Sequence, residues 1–463
     1  MAGLSRLFHI GQGALQSHQT RMATLQNNIA NASTPGYRRQ RVDMVTLGGH
    51  FGEVGLRGVH TRGPDSIRSE FLMGQIHKGQ GDFGFHATRS SFAAGVERAM
   101  MPSAGQHLGT NVEAFFDSLR QASTNPGGEI EGRSFLQEAD LLAGRFRETA
   151  ASLQRERVAM EGEAQGLVDS VNQNLQEIAD LDRQIKQATQ LSQPAGELMD
   201  QRDRLIQDVS EHLSVTVVSG DQGSVDLITP QGRALVEGGQ ARTVGIDSGR
   251  LPDQLHFTLT GANDNAQPLG APGGTLGGLA ATYNDTLATE VERLDALAFA
   301  FATEFNARHE AGFDRDGNPG EALFELSGTA QGAASSLHLR QEISDDPALL
   351  AFAGDPGEAP GGSSNLQDLL ALHDEPLVNG ATFQESWQAG LNEVARTVSS
   401  ARQSAEAASA SLAQLQEMEA SITGVSLEEE MIALSESQRG FEAALKVMQA
   451  SDQMFSSLLS LKG

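Results

Sequence analysis

The sequence contains no cysteine, which excludes disulfides, thiolate nucleophiles and cysteine-ligated metals together. Aromatic residues make up only 5% of the 463-residue chain, with one Trp and two Tyr. Hydrophobic residues reach 39%, and Gly (51) is plentiful alongside Ala, a composition that suits thin helical layers better than a thick core. No run approaches the roughly 18 apolar residues that a membrane-spanning helix needs, so a soluble chain is expected. The apolar run at residues 7–10 is too short for a secretory h-region, and any export therefore needs another route. Basic residues are also scarce. Lys and Arg number 33 against 60 Asp and Glu, a net charge of −27, which repels nucleic acid and anionic membranes; neither is an expected partner. The deficit is uneven: the first 100 residues carry 11 basic and 6 acidic groups, and the rest 22 and 54. The cluster Arg38, Arg39 and Arg41 reads as a solvated or subunit-pairing patch rather than a phosphate site.

Catalytic patterns are missing as well. The twelve His include no H-E-x-x-H pair, and neither G-x-S-x-G nor a Walker A run occurs. "GQGALQ" at residues 11–16 lacks the third glycine and the preceding strand of a dinucleotide site. Asp314, Asp316, Asn318 and Glu325 fall at positions 1, 3, 5 and 12 of a calcium loop. Position 6 is Pro319, whose fixed φ opposes the sharp turn needed there, so an Asx- and Gly-rich turn is the expectation. No enzymatic activity, metal or cofactor is expected.

What is present is a pair of long heptad stripes at opposite ends of the chain. Leu4, Phe8, Gly11, Leu15, His18, Met22, Leu25, Ile29 and Ala32 alternate spacings of 4 and 3, the pattern of a coiled-coil seam. At His18 a polar residue sets register. Pro35 disfavours helical dihedrals at Thr34 and Gly36 permits the turn, so the helix is expected to end near Ala32, about 43 Å long at 1.5 Å per residue. At the other end Leu427, Met431, Leu434, Gln438, Phe441, Leu445, Met448, Asp452, Phe455 and Leu459 repeat the stripe. Residues 404–463 hold 9 acidic and 3 basic groups, opposite in sign to the N-terminal region. Two such helices can cover each other, with charge favouring the match.

Between them, short extended segments follow residue 40, punctuated by glycines. Helical signal returns near Arg89 and runs to about His212; Leu167, Val171, Asn174, Ile178, Leu181, Ile185 and Ala188 again keep heptad spacing. From Leu213 the chain alternates and is rich in Val and Thr, which predicts a small antiparallel β element. The expected divisions are 1–40 (axial helix and turn), 41–88 (extended segments), 89–212 (helical domain), 213–272 (small β element), 273–326 (helix and turn loop), 327–383 (loop-rich) and 384–463 (C-terminal helices). The fold class is mainly α: paired terminal coiled-coil helices plus a helical bundle with a small antiparallel β element.

"LQNNIANASTPGYRRQ" resembles the N-terminal signature of the flagellar rod, hook and hook-associated axial proteins, above all in Asn28-Ile29-Ala30-Asn31 and Thr34-Pro35-Gly36-Tyr37. "FFDSLRQASTNP", "IADLDRQI", "LMDQRDRLI", "GGTLGGL", "FNARHEAGFDRDGNPGEALF", "GVSLEEEMIAL" and "FEAALKVMQASDQMF" extend the resemblance in order along the chain, toward the hook-associated branch. The resemblance implies a non-enzymatic subunit that joins hook to filament, is exported by the type III route, and lies outside the cell after a transient cytoplasmic stage. Implied partners are the hook protein, a filament-side junction protein, further copies of itself in a helical tube, and a cytosolic export chaperone held by the C-terminal helix. Members often carry a β-rich insertion after the segment matching "GEALFEL"; here residues 327–334 run straight on, so little or no outer β domain is expected. A hook or distal-rod subunit and a cytosolic coiled-coil adaptor stand as alternatives. The assembly residues expected are Leu15, His18, Met22, Leu25, Ile29, Tyr37, Arg39 and Gln40, with Leu427, Met431, Leu434, Phe441, Leu445, Met448, Phe455 and Leu459. The terminal helices are expected to become ordered only when neighbouring copies cover them.

Overall fold

The structure is a computed structural model that describes residues 2–34, 37–46, 59–61, 65–66, 69–101, 107–191, 193–247, 254–261, 265–326 and 328–460. Helix α1 (Ala2–Ala30) runs into turns at residues 31–34. Two short antiparallel pairs follow, β1 (Gln40–Arg41) with β4 (Asp65–Ser66) and β2 (Met44–Thr46) with β3 (Val59–Thr61). The expectation of extended structure to residue 88 and helix from about Arg89 is corrected here: α2 spans Glu70–Met100. Ser69 caps it by accepting a hydrogen bond from the Leu72 N–H. Glycines at 74, 79, 81 and 84 hide this helix in the sequence because glycine is a poor helix former. Gly84 has a packing reason instead: a Cβ there would lie 2.3 Å from the Glu211 carbonyl oxygen.

The body is built from α3 (Leu108–Ala122), the 62-residue α4 (Glu129–Gln190) and α5 (Gly196–His212). The alternating stretch that follows forms two sheets rather than one element. The first has order β5 (Thr216–Ser219), β6 (Val225–Ile228), β7 (Ala234–Glu237), β8 (Gln240–Ala241). In the second, β10 (His256–Thr260) lies between β9 (Thr243–Asp247) and β11 (Gln267–Pro268). Asn172 of α4 stitches itself to the open edge of β9, donating to the Val244 carbonyl and accepting from its N–H, each at 2.8 Å.

Helix α6 (Gly274–Ala281) passes through a π turn (Thr282–Leu287) into α7 (Ala288–Ala311). The hairpin β12 (Phe324–Glu325) with β13 (His338–Leu339) flanks α8 (Ala333–Ser336), and α9 (Gln341–Asp345) and α10 (Ser364–Ala371) follow. The described residues between 326 and 385 contain no further sheet. Last come α11 (Phe383–Thr423), opened by a capping box between Thr382 and Glu385, and α12 (Leu427–Ser460).

The few aromatics are concentrated in one place. Phe115 lies 5.2–5.4 Å, centroid to centroid, from Phe116, Phe135, Phe301 and Phe305, while Phe324 packs 5.7 Å from Phe301. All six are essentially inaccessible to water. This cluster joins α3, α4 and α7. Away from it, α2 packs along α11, and α1 packs along α12.

Candidate functional site

The chain's two ends meet at a joint formed by the last turn of α1, residues 37–42, the α11–α12 corner and the first turns of α2 and α5. Asn28, fully buried, is its centre. Its side-chain N–H groups donate to the Gln40 carbonyl and to Glu430 Oε2, both at 2.9 Å. Its Oδ1 accepts from the Tyr37 hydroxyl at 2.9 Å and the Gln40 N–H at 3.0 Å. Every hydrogen-bonding position of the amide plane is therefore used, which is what keeps a buried polar group affordable. Burial first, then the carboxylates of Asp200 and Glu430, push the Tyr37 phenol above its usual range. It stays protonated at neutral pH and remains a donor.

Two arginines close the joint. Arg39 Nε pairs with the fully buried Glu430 at 2.6 Å, its Nη1 with Glu429 at 2.9 Å, and its backbone N–H donates to the Thr423 carbonyl at 2.8 Å. Arg38 reaches the other way, to Asp203 of α5 at 2.6 Å and Glu419 of α11 at 3.0 Å, with Asp200 at 3.9 Å. Its guanidinium also touches Met73 Sδ of α2 at 3.0 Å. Arg38 is only 8% exposed, so the "RR" pair is no solvated patch: one arginine binds the terminal helices to each other and the next binds them to the body. Beside Arg38, His77 of α2 is pushed down to about 4, by burial first, with Asp203 opposing and Arg38 assisting.

Along the paired helices the buried line is made of small and polar residues. On α1 it is Gly11, Ser17, Thr24, Leu25 and Asn28; on α12 it is Glu430, Ser437, Ala444 and Ser451. His18 seats in a notch at Gly440, where a Cβ would lie 2.3 Å from its ring, and Met448 seats against Gly11. Burial first, then Arg21, holds the His18 imidazole below its ordinary value, so it enters the notch neutral.

Among the expected assembly residues, Leu25 is buried in this line. Leu15, His18, Met22, Ile29, Tyr37, Arg39 and Gln40 are half-buried, as are Leu434, Phe441, Leu445 and Met448. Leu427 and Met431 are 51% and 64% exposed. The side chains of Phe455 and Leu459 lie outside the described residues. Of the heptad positions, Gly11, His18, Leu25 and Met448 lie in the seam between α1 and α12, but the spacing did not show which polar residues share it. Asn28, Arg38, Asp203, Glu419, Ser437, Gly440 and Glu430 were missed, because their roles depend on partners hundreds of residues away. The polar and small positions repeating every seven residues, Glu430, Ser437, Ala444 and Ser451, were the available signal.

The calcium-loop positions are not brought together. Asp314 Oδ1 accepts from the N–H groups of Asp316 and Asn318, and its Oδ2 from the Asn318 amide. Glu325 faces His338 at 2.9 Å. Among the described residues no group of three or more His, Asp or Glu is placed to hold a metal ion, and no helix is long and apolar enough to cross a membrane.

Two end segments clasped at one joint, with a helical body between them, match known proteins. The family profile for flagella basal body rod proteins matches residues 8–38, and that for the C-terminal region of the rod FlgEFG proteins matches residues 419–461. The class is thus a flagellar axial structural protein. The helical-domain profile of the flagellar hook-associated protein FlgK matches residues 93–324, half of the chain, and the chain belongs to that family. "Flagellar hook-associated protein 1" of Salmonella typhimurium strain LT2 is 26% identical over 70% of this chain and 60% of its own length; the chain thus spans less than two thirds of that relative. The Escherichia coli K12 protein of the same name is 22% identical over 99% of this chain and all of its own. A solved structure, that of the flagellar hook junction protein FlgK from Burkholderia pseudomallei, has the same fold with a TM-score of 0.67 at 17% identity, covering 76% of this chain and all of that one.

Proposed function

We propose that this chain is a structural subunit of the bacterial flagellum that joins hook to filament and assembles through its paired terminal helices after type III export. The observation that carries the reading is the joint itself. The N-terminal signature and the "GVSLEEEM" segment, nearly the whole chain apart, meet through Asn28, Arg39 and Glu430, while Arg38 fixes the pair to the body. Such a joint transmits the position of the terminal helices to the outer body, as a subunit linking two tubes requires. The partners proposed are the hook protein, a filament-side junction protein, further copies of this chain, and an export chaperone that takes α12 in the cytoplasm. An amphipathic helix docks readily into an apolar groove.

The test is a strain lacking its own copy. Deletion is expected to leave hooks intact, remove filaments and release filament subunits to the medium, with this chain restoring filaments. Loss of the hook itself would contradict this reading and point to a hook or distal-rod subunit.

A further inference from the structure

The π turn (Thr282–Leu287) loops an extra residue into the helix between α6 and α7. Such turns are rare and recur at functional sites. This one walls a cavity of about 440 Å³ on the body, within the roughly 300–1,000 Å³ of ligand pockets. The cavity floor is apolar: Leu287 is 2% exposed, and Ala288 and Val291 are half-buried. Its walls are fixed by their own hydrogen bonds. On the α4 side, Arg157 lies over the Tyr283 ring, 5.4 Å from the centroid, and its Nε donates to the Tyr283 hydroxyl at 2.7 Å. That hydroxyl donates in turn to Glu161 Oε1 at 2.6 Å, and Arg157 lies 3.5 Å from the same carboxylate. On the loop side, Asp295 accepts from the Gly332 N–H at 2.7 Å and the Ala334 N–H at 3.0 Å, which pins the lip at Ala330 and Gln331. Walls held in this way need little reordering when a ligand enters, which lowers the cost of binding.

Charge indicates what the cavity takes. Glu161 is matched by Arg157, and Asp295 is satisfied by two backbone N–H groups. Glu292, which also lines the cavity, is exposed and has no ion-pair partner among the described residues. A purely apolar ligand would desolvate that carboxylate without compensation, and an anion would be repelled by it. A small hydrated cation would leave the apolar floor unused. We propose that this cavity binds a small organic cation with an apolar body, of the arylalkylammonium class. The body rests on Leu287, Ala288 and Val291, and the ammonium group pairs with Glu292. The site belongs to the body, apart from the joint, and does not depend on the assembly role.

The test follows the Leu287 and Val291 methyl signals of the full-length chain by NMR during titration with phenethylammonium. Saturable one-to-one shifts are expected at both residues. Phenethyl alcohol should bind several-fold more weakly and phenylpropionate more weakly still, since they share the body and change only the head group. Glu292→Gln is expected to bring the ammonium down to the level of the alcohol. Glu417→Gln, exposed on α11, is expected to leave it unchanged. No saturable shift at these methyls, or equal affinities for ammonium and alcohol, would overturn the site. Equal losses in the two variants would also overturn it, by showing only a general attraction to an acidic chain. A lysine side chain carries the same cation on a peptide. Acetyl-Phe-Lys-amide is expected to bind more weakly than the free amine, and tighter binding would overturn a small-molecule ligand.

Discussion

Around Phe115 the body encloses five more phenylalanine rings with almost no water contact, whereas α1 and α12 meet through single side chains seated on glycines, Met448 on Gly11 and His18 on Gly440, and through the polar contacts of Ser437 with His18 and Asn28 with Glu430. Burying a Phe side chain contributes about 1.5–3 kcal/mol; burying Ser or Gly contributes little beyond close approach. The body can therefore hold its helices by its own packing. The terminal pair instead relies on a charged joint at one end and leaves its apolar stripes to be covered. Since most helical stability comes from tertiary packing of an apolar face, the pair is expected to be less stable than the body in the isolated chain. One chain thus combines a module closed by its own packing with a pair whose apolar stripes stay partly exposed, the pair to which the assembly role is proposed.

The sharpest way to break this comparison is a matched truncation. Phe115→Ala is expected to cost about 3–5 kcal/mol, the usual range for removing a fully buried aromatic ring, read from the urea midpoint. Phe441→Ala, half-buried on α12, is expected to cost about 1 kcal/mol or less in the isolated chain. Equal costs would mean that the two regions fold as a single core.

The joint gives the next largest effect. Arg38→Met removes the cation that bridges Asp203 and Glu419, with Arg202 remaining 3.5 Å from Asp203, and breaking a buried ion pair from one side costs about 3 kcal/mol. The loss is expected at the joint: hydrogen exchange should speed up at the start of α12 and the end of α1 while the Phe115 cluster stays protected. A uniform loss of protection would contradict a joint that is separate from the core.

A smaller and pH-dependent effect belongs to the body. His309 is fully buried and pushed down to about 4 by burial, with the Glu321 carbonyl opposing. In its neutral tautomer Nδ1–H donates to that carbonyl at 2.6 Å and Nε2 accepts from the Ala351 N–H at 3.1 Å. The folded imidazole takes up its proton far below 6.5, so the unfolded chain binds more protons between 6.5 and about 4, and stability falls as pH falls through that window. At about 1.4 kcal/mol per pKa unit, the loss reaches up to about 3 kcal/mol near pH 4. Asp182 and Glu290, raised chiefly by burial, act in the opposite sense, since the folded state holds their protons more tightly. The difference between the parent and His309→Gln isolates the histidine: the variant, less stable at pH 7, should lose less on going to pH 4. Parallel curves would refute the assignment.

The ends of elements were legible where one residue decides them. Pro35 and Gly36 mark the stop of α1 close to where it ends, and the boundary expected at residue 384 falls within one residue of the start of α11. The heptad from Leu167 to Ala188 lies inside α4, as its spacing implies, and the Val- and Thr-rich stretch is antiparallel β. Glycine misled at α2, where poor local propensity is overruled because a neighbouring backbone needs the space at Gly84. At the pair, periodicity marked the helices that meet, Gly11 on Met448 and His18 on Gly440, but not the polar residues buried beside them. The joint was illegible for a different reason. Asn28, Arg38 and Glu430 gain their meaning only from residues brought together by the whole fold, and no local pattern marks a buried ion pair across such a separation.

The central claim, that the terminal pair is incomplete in a single chain, is tested most directly by amide hydrogen exchange on the full-length chain, first alone and then in assembled flagella. In the isolated chain, α1 and α12 beyond the joint should exchange orders of magnitude faster than α4 and α7, and assembly should bring them to comparable protection. Terminal helices as protected as α4 in the isolated chain, or unchanged by assembly, would contradict the account.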